Sequence, residues 1–284
     1  MESFVYKNSL GNSITIDYTG NYIIDGYDGL TASEIIPITT SGYRQNGATY
    51  ITSNLGIRII NLNFGVIAES ALGMYEARRN LASVFNPLLG EGTLTYTNDF
   101  ISKSINVIVS AAPTPLERHS TIQYYTVELT ANNPLWFDNE ESAVKLGDYT
   151  GGLFYPLQFE GDGVHYAQKG DVANITIIGD VPSPIRAEFK NTSINPKLEL
   201  VNTGEFIEVE TSIDEGESLI INTAYGKKTV NKVSTDNSVE SAFHLISLNS
   251  TFFSLPRGNN KLSFSGDAGT PEVYIYYRNY FIGV

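Results

Sequence analysis

Three histidines are the side chains of this sequence best suited to binding a metal or to moving a proton near neutral pH: His119, His165 and His244. They lie far apart in the chain, and none has a second ligand at the spacing of a zinc site. No serine lies in a Gly-x-Ser-x-Gly sequence, the usual setting of a hydrolase nucleophile, although a triad assembled from distant residues stays open. We therefore predict no catalytic residue, no cofactor and no bound metal.

Carboxylates are abundant, and two of them on a β scaffold would suffice for glycoside hydrolysis. Glu208 and Glu210, however, flank Val209 in the alternation typical of a strand with one solvated face. The sequence EGDGVHY, residues 160–166, lacks the repeated oxygen ligands of an EF-hand calcium loop and is interpreted as a surface turn. A glycoside hydrolase stays open as an alternative, because paired carboxylates alone neither select nor exclude it.

The composition is that of a chain with a large core and many strands. The 284 residues are 42% hydrophobic and 17% charged, and they include 18 tyrosines, 14 phenylalanines and 25 glycines but only two methionines. Such a composition favours strands and turns over helices. The length predicts two domains. The absence of cysteine excludes disulfides and thiol catalysis.

The formal charge of −13 argues against a nucleic-acid-binding surface, since phosphate contacts need clustered lysine and arginine. Both halves of the chain are acidic. The charge serves solubility or, alternatively, repels a nucleic acid that passes nearby. The first twelve residues do not form a secretory signal, and no apolar run is long enough to span a membrane. We expect a protein made in a cytoplasm.

The sequence of the first half predicts strands that are interrupted by one helix and one long insertion. Strands are predicted at residues 60–64, 94–96 and 105–109. Apolar residues recur at helical spacing between Ser70 and Pro87, with Ser70 as a cap, which predicts a helix near residues 71–86. Residues 21–54 are too long for a structureless loop. We predict an arm with its own hairpin, formed by residues 35–38 and 49–52.

The sequence TVELTANNPLWFD, residues 126–138, holds the only tryptophan of the chain. Its first six residues alternate as a strand does, and Pro134 then removes a backbone donor and stiffens the exit. Leu135, Trp136 and Phe137 follow as an apolar triplet before an acidic run. We predict that these four residues anchor a domain junction near residue 138.

The second half shows short strands at close intervals with Gly, Asn and Asp between them, which is typical of an antiparallel sandwich. The glycine-rich residues 147–152 mark a plausible boundary region before it. Leu262 and Phe264 are expected to pair with Val273, Ile275 and Tyr277 across the turn sequence GDAGTP. The predicted fold is therefore mainly β, with an antiparallel β-sandwich at the C-terminal end.

Four stretches together resemble the distal tail protein family of long, flexible-tailed bacteriophages. They are MYEARRNLASVFNPLLGEGTLTY, VELTANNPLWFD, the closing FFSLPRGNNKLSFSGDAGTPEVYIYYRNYFIGV, and residues 179–230 with their Asn-Pro-Lys, Thr-Gly and Gly-Glu-x-Leu-x-Ile-Asn-Thr pattern. No single stretch is specific, but their order is that of the family. The resemblance covers most of the chain from about residue 55 onward.

The resemblance implies a non-enzymatic part of the phage tail tip, located in the virion at the distal end of the tail. It implies an N-terminal β-sandwich that serves as the ring-forming hub domain, residues 1–138, and a galectin-like β-sandwich, residues 139–284. Six copies would close a ring through which DNA passes. It also implies contacts with the major tail protein, the tail-associated lysin or tail-tip protein, the tape-measure protein and, in some phages, receptor-binding proteins. Nothing in it implies membrane insertion.

By the same resemblance, the insertion at residues 21–54 stands where the family has an arm that embraces a neighbouring subunit. Its candidate contact residues are Tyr27, Tyr43, Arg44 and Tyr50. An adhesin that binds a host-wall glycan stays open as a second interpretation. That function would need an exposed aromatic platform with nearby polar groups, and the His-x-Asn-x-Arg sequence of a galectin pocket is absent around His165 and His244.

Overall fold

The computed structural model of the chain describes residues 1–31, 33–119, 121–146, 149–150, 168–169, 172–269 and 271–284. It contains two compact units: Met1–Asn139 together with Phe281–Val284, and Glu140–Tyr280. The turn predicted at residues 160–166, His165 and most of the glycine-rich residues 147–152 lie outside the described residues. Within the described ranges, no helix has the length and apolar character that a membrane crossing requires.

The first unit is built on one large antiparallel sheet with the strand order β2-β1-β7-β8-β9-β6-β3. The first and last strands of this order meet, because the backbone N–H of Ile24 in β3 donates to the Asp17 carbonyl at 2.8 Å. The strands are β1 Ser3–Lys7, β2 Ser13–Ile16, β3 Tyr22–Asp28, β4 Ile35–Thr40, β5 Thr49–Leu55, β6 Arg58–Ile67, β7 Gly92–Thr97, β8 Ser102–His119, β9 Ile122–Ala131 and β10 Trp136–Asp138.

The core of the first unit follows from period-two alternation in these strands. In β6, the side chains of Ile60, Leu62 and Phe64 are buried, and the asparagines between them face outward. The matching residues of β9, Tyr125, Val127 and Leu129, are buried in the same cluster. Alternating apolar residues on adjacent strands share one face of a sheet. The strands predicted from these patterns are confirmed.

The single α-helix among the described residues, α1, spans Ala71–Val84 and buries Met74, Leu81 and Val84 against the sheet. Ser70 caps it as predicted, its Oγ accepting a hydrogen bond from the backbone N–H of Gly73 at 3.1 Å.

The helix ends earlier than predicted because Phe85 has left helical geometry at its C-cap and packs fully buried in the core. Asn86 precedes a proline and is extended, as that position favours. A 3-10 helix, Pro87–Leu89, then leads to β7.

The second unit is an antiparallel sandwich. A six-stranded sheet has the order β11-β25-β15-β20-β21-β22, and a four-stranded sheet has the order β14-β23-β17-β18. One cluster of buried side chains from both sheets forms its core. The strands are β11 Ser142–Leu146, β12 Tyr149–Thr150, β13 Gln168–Lys169, β14 Val172–Ile177, β15 Ile185–Lys190, β16 Ser193–Ile194, β17 Lys197–Leu200, β18 Glu205–Glu208, β19 Ser212–Ile213, β20 Ser218–Asn222, β21 Thr229–Val233, β22 Val239–Ser241, β23 Gly258–Ser265, β24 Ala268–Gly269 and β25 Glu272–Tyr277; a 3-10 helix spans Phe243–Leu245, and β26 is Tyr280–Phe281.

The pairing predicted between Leu262 or Phe264 and the strand containing Val273 is wrong. β23 pairs with β14 and β17 in one sheet, whereas β25 pairs with β11 and β15 in the other. The connection between them crosses from sheet to sheet, and on its way β24 pairs with β16. Two alternating strands around a short turn look the same in sequence whether they form a hairpin or cross a sandwich.

Candidate assembly surfaces

The most exposed apolar element of the first unit is the hairpin of β4 and β5, here called the arm. The two strands pair with each other and with no other strand of the described residues. All described side chains of both strands are exposed. Ile35, at 66% exposure, pairs with Leu55 on one face, and Ile36 and Ile38 lie on the other. The arm therefore presents apolar side chains on both faces.

The tip of the arm carries two of the predicted contact residues. Tyr43 is 92% exposed, and the guanidinium carbon of Arg44 lies 5.3 Å from the centre of its ring. Arg44 has a φ of 60°, as a tight turn requires. Tyr50 lies in β5 and is 62% exposed. An isolated two-stranded hairpin is only marginally stable in water, and this one leaves its apolar residues unburied. The arm thus has the chemistry of a surface that is covered by another molecule.

Tyr27 lies outside the arm. It belongs to β3 of the large sheet, its ring contacts Phe4 and Tyr96, and its hydroxyl donates to both carboxylate oxygens of Glu2 at 3.0 Å. Tyr96 and Tyr18 donate to the same carboxylate at 2.8 Å and 3.3 Å. These bonds, with that of Tyr96 first, lower the pKa of Glu2, whereas burial and the nearby carboxylate raise the pKa of Tyr27 to about 12.

The Glu2 carboxylate should make the free energy of unfolding depend on pH. A carboxyl with a lowered pKa in the folded state stabilises the fold above its ordinary value of 4.5 and loses that contribution as the pH falls below it. We expect the Glu2→Gln variant to melt below the wild type at neutral pH and the gap to close towards pH 3. Thermal unfolding of both proteins across this range measures the gap; a gap that is constant with pH would contradict the assignment.

The predicted anchor segment closes the first unit. Trp136 is fully buried in its core, and its Nε1–H donates to the Leu30 carbonyl at 3.1 Å. Phe137 pairs with Ser104 of β8 and is partly buried, as are Pro134 and Leu135. The one tryptophan therefore fixes the end of this segment to the turn that follows β3, in agreement with the usual need of a buried indole N–H for a partner.

The buried indole gives a simple optical prediction, because the chain has only one tryptophan. Fluorescence of the folded protein should be blue-shifted and protected from iodide, and both properties should disappear on unfolding. Replacement of Trp136 by phenylalanine should cost about 2 to 3 kcal/mol, from the lost hydrogen bond and the incompletely filled space. An emission quenched by iodide as strongly as free indole would show that the side chain is exposed.

Arg58 holds together the region around the anchor segment, although it was not singled out from the sequence. It is fully buried at the start of β6, where burial lowers the pKa of its guanidinium. Its Nε donates to the Pro134 carbonyl at 2.8 Å, and one terminal nitrogen donates to the carbonyls of Gly29 and Leu30 at 2.7 and 2.8 Å. The other terminal nitrogen donates to the Ile282 carbonyl. The guanidinium thus joins three separate segments of the first unit.

The turn beneath this guanidinium needs glycine. Gly29 has a φ of +87°, and a Cβ there would lie 1.9 Å from the Ile59 carbonyl oxygen.

A signal for the burial of Arg58 was present in the sequence. Arg58 is in phase with Ile60 and Leu62, so the alternation that predicts their burial also predicts burial of the arginine.

No cluster of three or more His, Asp or Glu side chains in the described part of the chain has the geometry to hold a metal. His244 is exposed in the 3-10 helix Phe243–Leu245. His119 is the last residue of β8.

Comparison with known proteins matches both halves of the chain to tail components. Residues 9–131 match the model of the phage tail protein RIFT-related domain, and residues 178–281 match that of the siphovirus-type tail component, C-terminal domain. A search of curated proteins found no match.

Solved structures agree with these matches in fold. The Dit protein of phage SPP1, described as a paradigm of the hub of the adsorption apparatus in phages that infect Gram-positive bacteria, aligns with a TM-score of 0.69 at 12% identity and covers 99% of both chains. A chain of the phage P2 baseplate in its activated conformation with Ca aligns with a TM-score of 0.57 at 13% identity and covers 100% of both. At such identities the likeness establishes the two-domain fold.

Proposed function

The chain belongs to the distal tail protein family of siphovirus tail components, and from that premise we propose that six copies close head to tail into a ring at the distal end of a phage tail. This hub joins the tail tube to the adsorption apparatus and lets DNA pass. Its role is structural rather than catalytic. The observation that carries the proposal is the match of both halves, in chain order, to domains of tail components.

The arm supports head-to-tail closure. In a ring each copy meets its neighbour through two different surfaces, and an exposed apolar hairpin is suited to lie on a surface other than its own. We propose that Ile36, Ile38 and Tyr50, with Tyr43 and Arg44 at the tip, contact the next copy. Tyr27 contributes by holding the N-terminal strand through Glu2.

The anchor segment and the charge support the same function. Pro134, Leu135, Trp136 and Phe137 are proposed to hold the end of the first unit, from which the chain continues to the sandwich, because Trp136 and the Pro134 carbonyl are both bound within that unit. The net charge of −13 suits a channel through which DNA moves without being held. The proposed partners are the major tail protein, the tail-associated lysin or tail-tip protein, the tape-measure protein and receptor-binding proteins.

Immunogold labelling of intact virions tests the proposed location. Antibodies against the purified chain should place gold at the end of the tail that is distal to the capsid. Antibodies against the major tail protein, used as the control, should label the whole tube. Gold along the tube, on the capsid or nowhere on the particle would contradict the proposal.

A further inference from the structure

An open cleft of about 290 Å³ lies at one end of the sandwich, where the chain enters and leaves the second unit. All of its lining residues belong to that unit. Polar side chains on its walls come from three strands of the six-stranded sheet and from the segments beside them. The residues that matter for its chemistry are Glu141, Arg186, Asn222, Tyr276, Tyr277 and Tyr280.

The cleft offers hydrogen-bond donors and acceptors side by side. A terminal nitrogen of Arg186 donates to the Glu141 carboxylate at 2.7 Å, and each side chain of this pair is about one-third exposed. A guanidinium has five N–H donors and a carboxylate about four acceptor positions, so this bond uses only part of their capacity. The Asn222 Oδ1 accepts a hydrogen bond from the Ala224 backbone N–H at 2.9 Å, and Asn222 is one of the residues that line the cleft.

The polar groups are held in place before any ligand arrives. The guanidinium carbon of Arg186 lies 3.8 Å from the centre of the Tyr276 ring, and the Tyr276 hydroxyl donates to Glu188 at 3.2 Å. Stacking of this kind fixes an arginine in one orientation. Tyr277 and Tyr280 add aromatic surface to the same walls. Pre-ordered side chains lose little conformational entropy when they bind.

We propose that this cleft binds a pyranose unit of a polysaccharide. A pyranose presents hydroxyls, each of which is both donor and acceptor, along its edge and C–H groups on its faces. The Arg186–Glu141 pair and Asn222 match the hydroxyls, and the rings of Tyr277 and Tyr280 match the faces. Aromatic rings beside a few oriented polar groups are a common form of small-ligand site. The second unit would then contact a glycan in addition to the assembly role proposed above, and the cleft depends on that unit alone.

A glycan array probed with the full chain tests the proposal. The array carries oligosaccharides of neutral hexoses, N-acetylhexosamines and uronic acids. The wild type should show saturable binding to a subset of them. Arg186→Ala and Asn222→Ala should each weaken that binding about tenfold or more, from loss of hydrogen bonds to the sugar. Arg186→Lys should also weaken it, because an ammonium lacks the planar fork.

Tyr225→Ser is the matched control, since Tyr225 follows the cleft residue Ala224 but is almost fully exposed. It should bind as the wild type does, and unfolding curves of all variants show whether each is folded. Absence of saturable binding to every printed sugar would overturn the proposal. So would binding that the Arg186 and Asn222 variants leave unchanged.

Discussion

Replacement of Arg58 by methionine is expected to lower the free energy of unfolding of the first unit by about 3 to 5 kcal/mol. The variant keeps the apolar stem but removes this donor from the carbonyls of Pro134, Gly29 and Ile282. The Leu30 carbonyl keeps only its hydrogen bond from the indole of Trp136. Unsatisfied buried acceptors are costly. Chemical denaturation followed by Trp136 fluorescence measures the effect, because the indole shares the Leu30 carbonyl with this guanidinium.

The same variant should release the C-terminal residues from the first unit. In the wild type, Arg58 holds the Ile282 carbonyl, and Lys103 lies over the Phe281 ring with its Nζ 4.0 Å from the ring centre. Carboxypeptidase should therefore digest Phe281–Val284 faster in Arg58→Met than in Arg79→Met, which removes an exposed arginine from α1. Equal stability and equal digestion of the two variants would show that the buried guanidinium is dispensable.

The triple variant Ile36→Ser, Ile38→Ser and Tyr50→Ser is expected to abolish self-association and leave the fold intact. These side chains are exposed in the isolated chain, so their loss should change the free energy of unfolding by no more than about 0.5 kcal/mol. Burial of these three side chains against a neighbouring copy should stabilise each contact between copies by about 4 kcal/mol or more. Their loss should therefore weaken each contact about a thousandfold.

Sedimentation velocity over a concentration series measures this change. The control is Leu248→Ser with Tyr225→Ser, which removes two apolar side chains that are even more exposed and belong to the second unit. The control protein should associate as the wild type does. Association of the arm variant at wild-type concentrations would mean that the arm does not carry the contact between copies.

Local patterns predicted the elements of this fold well. The alternation in β6 and β9, the helical stripe from Met74 to Val84 and the capping by Ser70 depend on neighbours within a few residues, and the structure confirms them. The arm was also predicted as a hairpin, because residues 21–54 were too long to lack structure.

Contacts between distant parts of the chain could not be predicted in the same way. The sequence interpretation assigned Phe281–Val284 to the second domain, whereas the structure packs them in the first unit. The three tyrosines around Glu2 come from β3, β7 and the residues after β2, and no local pattern relates them. The cleft beside Arg186 is assembled from segments more than 100 residues apart. Contacts between strands that are distant in sequence decide each of these features.

The mass of the purified protein in solution, measured by light scattering over a concentration series, tests the proposed ring most directly. We expect a closed species at six times the chain mass of 31.2 kDa, or a mass that rises with concentration and levels off at that value. Class averages from negative-stain electron microscopy should then show six-fold rings with a central channel. A strict monomer at every concentration, or a closed dimer with two-fold symmetry, would contradict the ring.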